Sequence, residues 1–328
     1  MGGAKVIEVL FQGLYESLYE NFYGYKSDRS VQNFGSKLKT ASYFFTLPPA
    51  SWGEKMVGYD DVVGAVVDIL KKAETELGDD VVRALKQAHQ NETEEIARRN
   101  LAAILENIDA AGKLKVPMCQ DTGLPVFFVE IGRELCLDFD VKGAIAEGVE
   151  VATKEVPLRP NAVEPLTRKN PGNNVGDGMP QVNVDFVEGD FLKITVLPKG
   201  AGSENVSALK MMLPGQVNEI PRFVVEVVKN AGGKPCPPVI VGVGIGSTFD
   251  GAAKLAKKAL LRNITEMDRY ERRILDAVNS LGIGPMGLGG KTTALAVLVE
   301  KGYCHTASLP VAVNIQCWAN RRASIILR

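Results

Sequence analysis

The sequence predicts an α/β protein, with a helical N-terminal part followed by mixed β-sheets flanked by helices. Three observations predict it. Apolar residues recur at helical spacing from Gly58 to Ala111. After Lys115 the pattern changes to short apolar or alternating runs separated by amphipathic stretches, the texture of strands and covering helices. The balance of 45% hydrophobic to 23% charged residues over 328 residues suffices for one large core or two smaller ones.

The elements follow in order. Asp60 and Asp61 precede Val62, Val63, Val66, Val67 and Leu70, an amphipathic helix with acidic residues at its start. A second helix runs from about Asp79 to Gln90. Asn91 is placed to cap a third, with Glu94 completing a capping box and the helix running to about Ala111. Pro125–Ile131 reads as a buried strand and Val141–Glu155 as a helix. Gln181–Val187 and Phe191–Leu197 flank Glu188-Gly189-Asp190 and read as a β-hairpin. Gln216–Asn230 is helical. Pro238–Val243 is a strand that breaks into Gly242, Gly244 and Gly246. Helices are expected near Asp250–Arg262 and Glu266–Leu281, and strands at Ala294–Val299 and Pro310–Ile315.

Residues 1–55 stand apart. They hold five Phe, five Tyr and one Trp, half of the chain's 12 Phe, 8 Tyr and 2 Trp. They also contain Glu8-Val9-Leu10-Phe11-Gln12-Gly13, which looks like a protease recognition sequence used in expression vectors. Two readings stand: a vector-derived leader, or an aromatic appendage that packs on a partner. The catalytic domain is expected over 56–328, helical over 56–114 and α/β over 115–328.

Composition excludes several functions. Thirty-eight Lys+Arg against 39 Asp+Glu leave a net charge of −1, with no basic excess for nucleic acid and no polybasic membrane patch. The longest apolar runs, such as Pro237–Ile245, are far short of the ~20 residues that span a bilayer. No charged-then-apolar signal opens the chain. The 5 cysteines (Cys119, Cys136, Cys236, Cys304 and Cys317) are odd in number and widely spaced, which points to reduced thiols in the cytoplasm.

Two glycine motifs fail on context. Gly282-Ile283-Gly284-Pro285-Met286-Gly287 has the dinucleotide spacing but follows a helix rather than a strand. Gly290-Lys291-Thr292 lacks the first glycine of a phosphate loop, because Pro285 stands there and donates no N–H. These glycines read as tight turns near a site. Of the two histidines, His89 sits in the helical scaffold. Cys304 and His305 are neighbours whose side chains diverge on an extended segment.

Three segments place a thiol beside a strand. They are Val116 to Gly123 around Cys119, Gly232 to Pro238 around Cys236, and Val313 to Arg322 around Cys317. Three thiols on separate loops could be core residues, ligands of one tetrahedral metal, or ligands at three corners of an iron–sulfur cube.

From about Val62 to Arg322 the chain resembles the α subunit of the iron–sulfur hydro-lyases, class I fumarase and L(+)-tartrate dehydratase. The carrying stretches are Pro117-Met118-Cys119-Gln120-Asp121-Thr122-Gly123, Leu158-Arg159-Pro160-Asn161, Leu197 to Asn205, Cys236-Pro237-Pro238, and His305 to Pro310 leading to Cys317. The resemblance implies a [4Fe–4S] cluster on Cys119, Cys236 and Cys317. It implies a substrate shell of Gln120, Asp121, Arg159, Gly202, Asn205 and His305. Asp121 is the expected proton-transfer group, and Arg159 a planar fork for a carboxylate. Cys136, in the alternating run Leu135 to Phe139, reads as core, and Cys304 as structural. Ala201 interrupts the family's glycine run, and Trp318-Ala319-Asn320 stands where the single-chain form has Ser-Ala-Asp. The C-terminal domain of single-chain relatives is not in this sequence, so a separate β subunit is expected to complete the site, in an α2β2 assembly. The expected reaction is hydration of fumarate to (S)-malate, with dehydration of tartrate to oxaloacetate as the alternative. A non-catalytic iron–sulfur redox sensor is the rival from another class.

Overall fold

A computed structural model describes residues 57–328; the aromatic-rich leader lies outside the described residues. α1 (Tyr59–Thr75) buries Val62, Val66, Ile69 and Leu70 along one face. That face packs on α4 (Val141–Glu155), where a Cβ added to Gly148 would stand 2.6 Å from the Cβ of Val66. A side chain there would force the two helices apart.

α2 (Asp79–Asn91) and α3 (Glu95–Leu114) fall where periodicity puts them, but the cap between them differs. Asn91 ends α2 rather than starting α3. Glu94 is the N-cap of α3, without a side-chain cap bond, and the buried Glu92 shapes the link before it: one carboxylate oxygen accepts from the N–H of Thr93 at 2.9 Å and of Glu94 at 3.1 Å. The other oxygen accepts from the N–H of Lys291 at 2.8 Å, a distant partner that local sequence cannot show.

The first sheet has the order β2-β1-β3-β8, from β1 (Leu124–Gly132), β2 (Gln181–Val187), β3 (Leu192–Lys199) and β8 (Ala323–Leu327). The expected hairpin of β2 and β3 does not form. β1 lies between them, parallel to β2 and antiparallel to β3. Its Val126–Val129 run is buried throughout, which suits a central strand. The turn at Glu188–Asp190 arches over the end of β1 instead. There the N–H of Gly132 donates to Phe191 O at 2.8 Å, and that of Glu134 to Gly189 O at 3.0 Å.

The second sheet has the order β4-β7-β5-β6, from β4 (Ala208–Met212), β5 (Val239–Gly246), β6 (Ala294–Gly302) and β7 (Leu309–Gln316). β5 does not break at its glycines. A Cβ at Gly242 or Gly244 would lie 2.1 Å from Ala256 O or Ala252 O respectively, so the glycines let α7 (Phe249–Ala259) lie close on the strand. A helical turn, α5 (Ala201–Glu204), follows β3. α6 (Ile220–Ala231) and α8 (Arg269–Asn279) cover the sheet through Ile220, Val224, Ile274 and Val278. Each such buried side chain contributes ~1.5–3 kcal/mol.

Cys136 is exposed, not core. Leu135, Leu137 and Phe139 alternate onto the core along an irregular link, which turns Cys136 outward. Cys304 is exposed as well, its Sγ 3.3 Å from Ser308 O. Among the described residues no helix is long and apolar enough to cross a membrane.

Candidate functional site

The three thiol segments meet where the ends of both sheets come together. The segment of Cys119 is held by its neighbour: Met118 N–H donates to Glu74 O at 2.9 Å, and Asn107 Nδ2 donates to Met118 O at 2.8 Å. Cys236 precedes β5 with φ +53°, a left-handed conformation that a non-glycine residue adopts only when its surroundings enforce it. The enforcement is visible. Met286 N–H donates to Pro237 O at 2.8 Å, and the glycine loop lies so close that a Cβ on Gly287 would stand 2.6 Å from the Cα of Gly233. Cys317 follows β7, and the N–H of the next residue, Trp318, donates to Cys236 O at 3.3 Å.

All three thiols are partly buried. Cys236 and Cys317 pack on an apolar floor that includes Met118, Leu197 and Trp318. Burial pushes the Cys236 thiol above its ordinary value, and Cys119 adds to the shift. Burial also pushes the Cys317 thiol up against the opposing charge of Arg321, with Cys119 again adding. Cys119 thus bears on both other thiols, and the Trp318 bond joins the loops of Cys236 and Cys317. Even so, no three His, Cys, Asp or Glu side chains among the described residues lie close enough to hold a single metal ion.

Under this group lies an ion pair in which Arg321 Nη1 meets Glu74 at 2.6 Å, with side chains 1% and 0% exposed. Burial pushes the Glu74 carboxyl up to about 7 although Arg321 pulls it down, and Asp121 adds to the rise. Asp121 itself is braced by three donors. Its Oδ1 accepts from Gly123 N–H at 3.0 Å and from Asn161 Nδ2 at 3.3 Å, and its Oδ2 accepts from Ala201 N–H at 2.9 Å. The carboxylate thus ties the thiol segment of Cys119 to the turn after β3. A Cβ on Gly202, in that turn, would stand 3.3 Å from Lys234 O, next to the Cys236 loop.

A cavity of about 270 Å³ opens beside Asp121, lined also by Asn161, Gln181, Lys199, Glu204, Asn205 and Lys257. Lys199 is 4% exposed. Its Nζ donates to Ser203 Oγ at 2.8 Å and to Ile315 O at 2.7 Å, and pairs with Glu204 at 3.2 Å. Burial brings the Lys199 ammonium down to about 8, against the pull of Glu204. Burial raises the Glu204 carboxyl, but Lys199, Lys257 and Asn314 outweigh it and hold the group down at about 2.

The profile of the fumarate hydratase (fumerase) family matches residues 63–326, which takes in all of these segments. The chain belongs to the fumarate hydratase (fumerase) family. It is 51% identical over 269 residues to the putative L(+)-tartrate dehydratase subunit alpha of Methanocaldococcus jannaschii, covering 79% of this chain and 94% of that one. It is 34% identical over 285 residues to the L(+)-tartrate dehydratase subunit alpha of Escherichia coli O157:H7, covering 84% and 94%. The Shigella sonnei protein of the same name matches over the same length at the same 34% identity. Family and relatives together make this a hydro-lyase enzyme chain.

Within this fumerase-family chain the expected site residues fall into two groups. Cys119, Gln120, Asp121, Cys236, Cys317, Gly202 and Asn205 gather at the joined sheet ends, with Gln120, Gly202 and Asn205 exposed. Arg159 is exposed and anchored beside Asp121 through its backbone N–H, which donates to Thr122 Oγ1 at 3.0 Å. His305 is not brought to this end. It lies three residues past Gly302, which pairs with the last residue of β5, whereas Cys236 precedes the first. The 8 residues of β5 separate the two ends by roughly 25 Å. His305 is exposed, and its Nδ1 accepts from Ala307 N–H at 3.1 Å. Sequence reasoning assigned no role to Glu204, Lys257, Asn161 or Glu74, each of which gains a partner from far along the chain. Asn161, Lys199 and Glu204 fall inside the motifs quoted above, and Lys257 and Glu74 fall in none.

Proposed function

We propose that this chain is the α subunit of an iron–sulfur hydro-lyase that reversibly hydrates fumarate to (S)-malate. The observation that carries the reading is the meeting of three thiol loops beside a polar cavity braced by Asp121. The donor set suits a [4Fe–4S] cluster on Cys119, Cys236 and Cys317. Thiolates are the ligands such clusters take, and the three stand on loops that meet, with Trp318 N–H donating to Cys236 O. A buried guanidinium close by suits its negative charge. When bound, the cluster supplies an iron without a protein ligand, a Lewis acid for the hydroxyl that is added or lost.

The chain's own residues do the rest. Asp121, fixed by Gly123, Ala201 and Asn161, moves a proton between the remaining lone pair of Oδ2 and the oxygen of water or leaving hydroxyl. Arg159 offers two parallel N–H groups to one substrate carboxylate. Gln120, Asn205 and the backbone around Gly202 orient the small dicarboxylate at the cavity mouth. Lys199 and Lys257, both paired with Glu204, keep the cavity wall in place. His305 does not reach this cavity within its own chain, so a substrate role for it requires two αβ units to pair as α2β2. A separate β subunit is supported by the relatives' names, which are those of alpha subunits. All 5 cysteines are free, which suits a reducing cytoplasm.

Dehydration of L(+)-tartrate to oxaloacetate is the second reading, favoured by those same names. The test is anaerobic reconstitution of the chain with iron and sulfide beside a co-expressed β partner, followed by assay on fumarate, malate and L(+)-tartrate. The proposal expects faster turnover of fumarate. Faster turnover of tartrate installs the second reading. A stable cluster with no turnover of either acid removes both in favour of a redox sensor.

A further inference from the structure

Arg321 carries a buried charge that takes no part in the substrate binding and proton transfer above. It is 1% exposed, and Nη1 meets Glu74. Its Nε has no hydrogen-bond partner among the described residues. A buried guanidinium N–H without an acceptor is costly, on the order of 1–3 kcal/mol, so the orphan points to an acceptor that the protein chain does not provide. The surroundings say where that acceptor lies. Arg321 lies four residues past Cys317, and its N–H and the Cys317 Sγ both reach Ala319 O, at 2.8 and 3.7 Å; Cys317 and Cys119 also bear on the Arg321 charge. Glu74, by contrast, interacts with Arg321 and Asp121. A Cβ added to Gly200 would stand 3.8 Å from Nη2, so the guanidinium also reaches the turn that Asp121 braces.

We propose that Arg321 is a positioning residue for the cluster, donating from its free Nε–H to the anionic sulfur held by Cys119 and Cys317 while Glu74 fixes the guanidinium plane. The inference rests on the cluster reading above and goes beyond it by naming what tunes the cluster. A fixed cation favours the more negative, reduced form, so Arg321 raises the reduction potential. Because guanidinium stays charged at any working pH, the effect does not depend on titration.

The test is an anaerobic redox titration of the reconstituted full chain with its β partner, followed by electron paramagnetic resonance. Three variants are compared with wild type. R321M removes the cation at similar volume. R321K keeps the charge without the fork. E74Q/R321M makes the whole buried pair neutral, an exchange that folded proteins often tolerate, and so guards against loss of the fold. At a fixed applied potential, R321M and E74Q/R321M should lower the reduced-to-oxidised ratio about tenfold or more, equivalent to ~59 mV for a one-electron couple. R321K should recover most of that shift. Faster loss of iron to a chelator should accompany both Met variants. Unchanged potentials in R321M and E74Q/R321M, with only a lower melting temperature, would leave Arg321 a structural tie and overturn the inference. A wild-type chain that takes up no iron and sulfide overturns the function reading and this inference with it. A loaded cluster with an unmoved potential overturns this inference alone.

Discussion

At the end of the second sheet that carries Cys236 and Cys317, the chain buries Lys199, Ser203, Gln316, Asn320 and Arg321, each no more than 4% exposed. At the opposite end, the length of β5 away, Tyr303, Cys304 and His305 stand in the open, and Phe249 is 64% exposed. Burying polar groups costs free energy unless each finds a partner. The thiol end meets most of that demand with bonds reaching far along the sequence, such as Lys199 to Ile315 and Arg321 to Glu74, and leaves Asn320 Oδ1 and Arg321 Nε without a partner among the described residues. The open end makes local contacts, such as Ala307 to His305. Costly, cross-braced polarity concentrated at one end of an otherwise apolar sheet marks where geometry must be held. The site is assigned there for that reason.

Substitutions at the two ends should break or sharpen this contrast. The largest effect is expected from E74A, which leaves the Arg321 guanidinium buried and unpaired. It should cost ~3–5 kcal/mol in a denaturant titration, and a loss under 1 kcal/mol would mean the braced end is softer than its burial implies. D121N keeps one of the two acceptor oxygens that tie the Cys119 segment to the turn after β3 and removes the carboxylate that takes up a proton. Turnover of the reconstituted enzyme should fall ~100-fold or more while the cluster absorbance persists; unchanged turnover takes Asp121 out of proton transfer.

A pH series addresses the cavity wall. The Glu204 carboxyl is held at about 2, below its ordinary 4.5, so its contribution is complete above 4.5 and disappears as pH falls through about 2. Wild type should lose stability on acidification across that window, and E204Q should show a shallower fall. Parallel profiles would deny Glu204 the role. The smallest effect belongs to the open end. H305N should change unfolding free energy by less than ~0.5 kcal/mol, and a larger loss would show that this end too is braced.

Local pattern made much of the fold legible. Asp60 and Asp61 ahead of the valines gave α1, and the apolar period gave α2 and α4. What failed was pairing between distant segments. Alternation in Gln181–Val187 and Phe191–Leu197 reads as a hairpin because nothing in either run reveals that β1 lies between them. Asn91 reads as a cap because the reach of Glu92 to Lys291 is invisible locally. β4 and β8, of five residues each, are too short to stand out by period. The thiol segments were conspicuous because Cys, Gln and Asp lie side by side in one of them and prolines flank Cys236 in another. Glu74 was not, since it sits on an ordinary helix and gains its role only from Arg321, 247 residues on.

The central claim is that Cys119, Cys236 and Cys317 hold one inorganic cluster between them. Anaerobic reconstitution of wild type, of each Cys→Ser variant and of the triple variant, with iron and acid-labile sulfide measured per chain, tests it most directly. The account predicts equal iron and sulfide in wild type, reduced retention in each single variant and none in the triple. Full iron and sulfide in the triple variant, or their loss only when Cys136 or Cys304 is replaced, would contradict it.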